Sequence, residues 1–336
     1  MSLRTVWNPA AFQGAGVKRR YFEGWYYKQV DARESAAVAV IPGVSYSEDG
    51  GSAHAFVQVV PSNGEKAHYF AYPVESFSTD PGDHFAIRIG PNTFTDGGMT
   101  LDLSDGVHRV VGHVSFGPWS PWPVRLLSPG VMGWYRFVPG METYHGVLSM
   151  DHPLRGSLTV DGEHIDLEGG RGYVEKDWGR SFPSSWIWAQ SNTFGRPGVS
   201  LMLSVATIPW MTGTFTGSIA GLLLDGELHR FATYTGARIT CIESGDNEAH
   251  VMLSDGREEL EVHLSGCRTL ELKAPVLGSM EGKDAESLGG TARVRLSSVR
   301  GGRASVLFEG VGRQAGVEVM DGAGELGRTP CPDGTT

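Results

Sequence analysis

Glu175 and Asp177 flank Lys176 within GYVEKDWGRSFPSSWIWAQSNTF, residues 172–194, a stretch that also carries Trp178, Trp186, Trp188, Gln190 and Asn192. Carboxylates among indole rings suit general-acid chemistry, because apolar surroundings disfavour the charged carboxylate and keep the proton available near neutral pH. In an extended strand alternate side chains share a face. Tyr173, Glu175 and Asp177 then point one way, and Val174, Lys176 and Trp178 the other. Trp186, Trp188, Gln190, Asn192 and Phe194 share a face opposite the small, plain Ile187, Ala189 and Ser191. In YFEGWYYKQV (21–30), Tyr21, Glu23, Trp25, Tyr27 and Gln29 oppose Phe22, Gly24, Tyr26, Lys28 and Val30. An ordinary strand separates rings from ionisable groups. Here each mixes them on one face, the pattern of a cavity wall with converging polar groups. A fourth stretch, ETYHGVLSMDH (142–152), adds Tyr144, His145, Asp151 and His152.

Other chemistries lack their signatures. Ser149 offers a hydroxyl beside His152, but no GxSxG elbow is present. No GxGxxG is set in a βαβ pattern and there is no P-loop, so no nucleotide cofactor is expected. His145 and His152 do not have the spacing of a metal pair. Cys241, Cys267 and Cys331 are far apart with no CxxC, which predicts neither a zinc site nor a disulfide framework. A net charge of -10 argues against nucleic acid held by bulk electrostatics. With no bilayer-length apolar run and no signal-peptide h-region, a reducing cytoplasm is the expected location.

The elements that position these residues read as strands. Turn pairs such as Asp105-Gly106, Asp161-Gly162, Asp225-Gly226 and Asp255-Gly256 supply the positive φ angles of tight hairpins. Between them lie more than a dozen β-branched or alternating runs, among them HAFVQVV, VSLMLSVATI, LEVHLSG and ARVRLSS. SPGVMGWYR is the only modest helix or loop candidate. Recurrent hairpins of this kind predict an all-β chain of antiparallel barrels or sandwiches. The reading places an N-terminal extension at 1–19, a first β domain at 20–170, a second at 171–322 and a flexible tail at 323–336. Residues 278–291, GSMEGKDAESLGGT, read as an exposed hairpin loop. All nine tryptophans fall at or before Trp210, so the last third reads as scaffold.

YFEGWYYK (21–28), YHGVLSMDH (144–152) and GRGYVEKDWGRSFPSSWIWAQSN (170–192) resemble, in order, segments of the tocopherol cyclase family. HAFVQVV and FATYTGA are similar to its bacterial members. More distantly, EKDWG resembles a segment of the carotenoid hydratases. That likeness implies two lipocalin-like antiparallel β-barrels packed side by side. The sequence departs from the plant members in reading KDWG and QSN where KNWG and QCN are expected, and in having no plastid transit peptide.

The resemblance implies cofactor-free closure of a ring on a prenylated phenol, hydroquinone or related terpenoid. An alkene carbon is protonated and the phenolic oxygen captures the tertiary cation. Asp177 is then the leading proton donor, Glu23 the second and Glu175 the third. Trp25, Trp186 and Trp188 line the cation pocket, joined by Tyr27 and Trp178, since aromatic faces stabilise a cation without trapping it. Tyr144, His145, Gln190 and Asn192 orient the phenol. The implied partner is a lipophilic small molecule, and loose association with a membrane surface is compatible with it. Capture of the same cation by water gives a hydratase instead, and a pocket without a working acid gives a prenyl-lipid carrier.

Overall fold

The structure, a computed structural model, describes residues 3–49, 51–64, 66–80, 85–210, 213–266, 269–322 and 324–331. Strands account for 64% of the described residues. SPGVMGWYR yields only the short 3-10 helix Gly133–Phe137. No helix among the described residues is long and apolar enough to cross a membrane. The chain forms two compact units, Met1–Phe182 with Leu270–Asp284, and Pro183–Thr269 with Ala285–Thr336. The motif GYVEKDWGRSFPSSWIWAQSN is therefore shared: its Arg171–Gly179 strand lies in the first unit and its Trp186–Ser191 strand in the second.

Each unit is built on one antiparallel sheet. In the first, the main order is His68–Pro73, Ala53–Pro61, Ala37–Tyr46, Tyr21–Val30, Arg171–Gly179, Thr143–Val160, Arg109–Phe116, Gly98–Ser104, Asn92–Thr95, Ala86–Ile89 and Phe77–Thr79. Its two edge strands are consecutive in the chain, joined by the single turn Val74–Ser76. A sheet whose edges are tied by three residues must curl on itself, which brings the two edges together at that turn. The second sheet repeats the device: its edges Glu227–Ala232 and Arg238–Gly245 are joined by Thr233–Thr235. In both sheets the first strand pairs with the last, Tyr21–Val30 with Arg171–Gly179 and Trp186–Ser191 with Arg303–Met320. This shared order is a structural repeat with no visible sequence counterpart.

The Asp-Gly pairs act as read. Asp161 and Gly162 have φ of 49° and 89°, Asp225 and Gly226 of 51° and 89°, and each pair closes a two-residue hairpin as type I′ turns require. Each unit has its own apolar core. Trp25, Tyr27, Phe94, Leu101, Leu158 and Val174 belong to the first. Ile187, Ala189, Leu203, Phe231, Val262 and Val294 belong to the second.

Three expectations are corrected. Residues 279–291 are not an exposed loop but open the long strand Ser279–Arg300. Its polar side chains Asp284, Glu286 and Ser287 are buried, and it was their polarity that suggested a loop. The described tail is anchored rather than frayed: Leu326 enters the second core, and Thr329 bridges Ile242. Finally, Cys241 and Cys331 form a disulfide, with Cα atoms 4.7 Å apart. A separation of 90 residues gave no spacing signal, and only the fold brings these cysteines together. Cys267 lies outside the described residues.

Candidate functional site

The first unit presents a three-stranded patch, Tyr21–Val30, Arg171–Gly179 and Thr143–Val160, with polar clusters on both faces. Register decides their membership, because directly opposed residues of antiparallel strands point the same way. Glu23 is opposite Trp178, Trp25 opposite Lys176 and Tyr27 opposite Val174. Gly24 is opposite Asp177, and Tyr26 opposite Glu175. The leading and second acid candidates thus lie on opposite faces of the sheet.

Glu23, Trp25 and Lys176 occupy the inner face, where Trp25 and Tyr27 join the core. Glu23 and Lys176 are fully buried and ion-paired at 2.5 Å. The Glu23 carboxylate accepts N–H bonds from Gln13 (2.9 Å) and Gly14 (3.0 Å) and the hydroxyl of Tyr21. Lys176 Nζ donates to the carbonyls of Pro9 (3.0 Å) and Ala11 and lies 4.7 and 4.9 Å from the ring centres of Trp25 and Trp178. Burial pulls Lys176 down to about 8, partly offset by the Glu23 carboxylate. Trp25 donates to Ala10 O at 3.2 Å. Tyr144 stacks on Trp178 with centres 5.7 Å apart and donates its hydroxyl to Val138 O at 2.7 Å. Arg136 covers both rings. This is a clasp: a strand cation and anion hold the N-terminal segment 9–14 in place. Glu23 and Tyr144 are committed to it.

The outer face gathers the other candidates. His145 is the direct cross-strand partner of Asp177, and Val147 that of Glu175. His145 Nδ1 is 3.0 Å from Asp177 Oδ1, and its Nε2 is 3.5 Å from Glu175 Oε2. Glu175 in turn accepts the hydroxyl of Tyr173 at 2.6 Å. Glu175 is nearly fully buried, whereas the Asp177 side chain keeps 25% exposure. Burial opposes charge on His145, but the carboxylates of Asp177 and Glu175 and the hydrogen bond to Asp177 outweigh it and raise the ring to about 9. At neutral pH His145, a residue read from sequence as a phenol-orienting group, is therefore an imidazolium between two carboxyl groups. His145, Glu175 and Asp177 also have donor atoms within 4.8 Å of one another.

The pKa of His145 makes a direct prediction. Its folded value lies above the usual 6.5, so its contribution to stability is complete below pH 6.5 and fades as pH rises through about 9. In an NMR titration the His145 imidazole should titrate near 9, and Asp177→Asn should lower that midpoint by more than about one unit. A wild-type midpoint near 6.5 would dissolve the pairing.

In the second unit, Ile187 and Ala189 fill the core, so the plain face of that strand is the inner one. Trp186, Trp188 and Gln190 point the other way and are buried all the same, as is Asn192. Trp186 Nε1 donates to Glu318 Oε2 at 2.7 Å, an acceptor that sequence reading missed because it comes from the last strand. Tyr173, Lys176, Arg136 and Gln13 were missed too. Lys176 was visible in the motif, but its partner across the sheet was not.

The fold and these clusters define an all-β protein of two curled antiparallel sheets with ionisable groups buried on the first and last strands of the first. Solved structures share the fold: the crystal structure of CghA (TM-score 0.54, 15% identity, 89% of this chain and 88% of that one) and that of CghA with Sch210972 (TM-score 0.51, 14% identity, the same shares). Residues 91–321 match the family described as tocopherol cyclase-like. This chain belongs to that family. Among its relatives are the rice protein "Probable tocopherol cyclase, chloroplastic" (Oryza sativa subsp. japonica), 24% identical over 285 residues, 78% of this chain and 58% of that protein. "Tocopherol cyclase, chloroplastic" of Zea mays is 27% identical over 147 residues, 40% of this chain and 30% of that protein. The chain thus spans less than two thirds of the length of the curated relatives it matches.

Proposed function

We propose that this protein is a cofactor-independent cyclase of a prenylated phenol or hydroquinone, acting by protonation of an alkene and capture of the tertiary cation by the phenol oxygen. Family membership supports the reaction class. The observation that carries it to residues is the imidazole of His145 held between Asp177 and Glu175.

An ion pair of imidazolium and carboxylate is a weak acid while water reaches it. Asp177 is the member with open surface. A lipophilic substrate that covers it removes that water. Desolvation disfavours both charges at once, so the proton moves from His145 to the Asp177 carboxyl group. The neutral carboxyl group then donates to the alkene carbon, and the new cation is met by apolar and aromatic surface rather than by solvent. Ring closure bonds the phenol oxygen to the tertiary carbon, and the phenol proton returns to the imidazole–carboxylate set. One proton enters and one leaves, so atoms balance with no cofactor. Trp186, Trp188, Gln190 and Asn192 belong to the second unit, and the reaction proposed here draws on the first unit alone.

The test is incubation of purified protein with a panel of prenylated quinols and phenols, with products read by mass spectrometry. A cyclase gives a product of unchanged mass that has lost one phenolic hydroxyl and one alkene. A gain of one water assigns a hydratase. Binding without conversion across the panel assigns a carrier, and either outcome overturns the proposal.

A further inference from the structure

Asp161 ends the strand that begins near His145, so it stands at the far end of Thr143–Val160 from the proton-bearing cluster. It occupies the first position of the Asp-Gly turn, with φ of 49°. Its Oδ1 accepts the backbone N–H of Arg109 at 2.8 Å, which fixes the carboxylate and aims Oδ2 away. Two imidazoles meet that one oxygen: His68 Nε2 at 3.2 Å and His108 Nδ1 at 2.9 Å. Their ring centres are 4.2 Å apart. All three donor atoms lie within 4.8 Å of one another.

We propose that His68, His108 and Asp161 bind one divalent transition-metal ion, of the zinc or cobalt type, at this end of the first unit. A tetrahedral ion bound at about 2.0–2.1 Å holds its ligand atoms a little over 3 Å apart, and two of the three separations already have that size. Two imidazoles and a carboxylate suit zinc, cobalt or nickel, whereas calcium and magnesium prefer oxygen alone. The Arg109 N–H supplies the outer hydrogen bond that orients a ligating carboxylate. His68 is nearly buried, while His108 and Asp161 are each 37% exposed, so an ion can enter from solvent and keep a water in its fourth position. The ligands come from three separate places in the chain: the start of the edge strand His68–Pro73, the turn before Arg109–Phe116 and the hairpin after Val160. An ion here ties three turns together and adds stability by mass action. No sequence spacing reveals the set, since 53 residues separate His108 from Asp161.

The test uses the full chain, stripped with chelator and dialysed, then titrated with Co²⁺ followed by visible absorption and with Zn²⁺ by calorimetry. One ion per chain is expected, with a thermal midpoint that rises on saturation. Outer-sphere changes alone typically weaken metal sites 10–100-fold. Loss of a ligand in His108→Gln or Asp161→Asn should therefore weaken binding at least about tenfold and abolish the thermal rise, with the metal-free midpoint kept. Asn retains the acceptor for Arg109 and tolerates the positive φ. His263→Gln, in the separate His250–Glu261–His263 group, should leave binding unchanged. Absence of saturable binding, or binding that survives both His108→Gln and Asp161→Asn, overturns the proposal.

Discussion

Lys176→Met should destabilise the protein by about 3–5 kcal/mol, the usual effect of removing one member of a buried ion pair and stranding the other. The loss is not of the attraction alone. Glu23 would keep its bonds from Gln13, Gly14 and Tyr21, but its charge would face Trp25 and the core without the cation that is paired with it. The carbonyls of Pro9 and Ala11 would also lose their donor, freeing the N-terminal segment. Glu23→Gln should cost a comparable amount, because Lys176 then holds an unmatched charge among indoles. The double variant should recover part of the deficit, since two neutral groups need no mutual compensation. Urea unfolding reads these differences, and each kcal/mol corresponds to roughly 2–4 °C in melting temperature for a domain of this size. If Lys176→Met unfolds at the wild-type midpoint, the clasp is not part of the fold's stability. Because Glu23 is committed in this way, loss of activity in its variants should follow loss of fold.

Strand alternation was legible in the sequence, and so was the membership of each strand face. Tyr173, Glu175 and Asp177 do share one side, and Val174, Lys176 and Trp178 the other. What alternation cannot supply is register between strands, because that depends on which strands become neighbours. The Tyr21–Val30 and Arg171–Gly179 strands pair across about 140 residues, and one step of register decides whether Glu23 joins Asp177 or Lys176. Reading the aromatic and acidic residues as one pocket merged two faces of a sheet: Trp25, Tyr27, Trp178 and Tyr144 lie on one, His145, Glu175 and Asp177 on the other. The misread strand at 279–291 has a related origin. Hydrophobic periodicity marks strands only where the buried side chains are apolar, and Asp284, Glu286 and Ser287 are buried polar groups. The disulfide escaped for the same reason as the register, since nothing local in Cys241 or Cys331 announces the partner.

Asp177→Asn should lower turnover by about 10²–10⁴-fold, the range general acid catalysis contributes, while the melting temperature falls by no more than a few degrees. The asymmetry follows from position. Asp177 is partly exposed, so its ion pair with His145 contributes modestly to stability, yet it is the one carboxylate in the cluster with an open side toward which a substrate can approach. Asn preserves shape and still accepts the bond from His145 Nδ1 but has no acidic proton to give. His145→Gln should also suppress turnover, for a different reason: Asp177 would remain, without the imidazole that reloads it. The two variants separate in their pH profiles. Wild-type activity should fade as pH rises through about 9, where His145 gives up its proton; His145→Gln should lack that limb, and Asp177→Asn should stay inactive throughout. Substrate binding, followed by tryptophan fluorescence, should survive in both. An Asp177→Asn protein that retains a tenth or more of wild-type turnover moves the acid elsewhere, to Glu175 first, since it alone shares the imidazole.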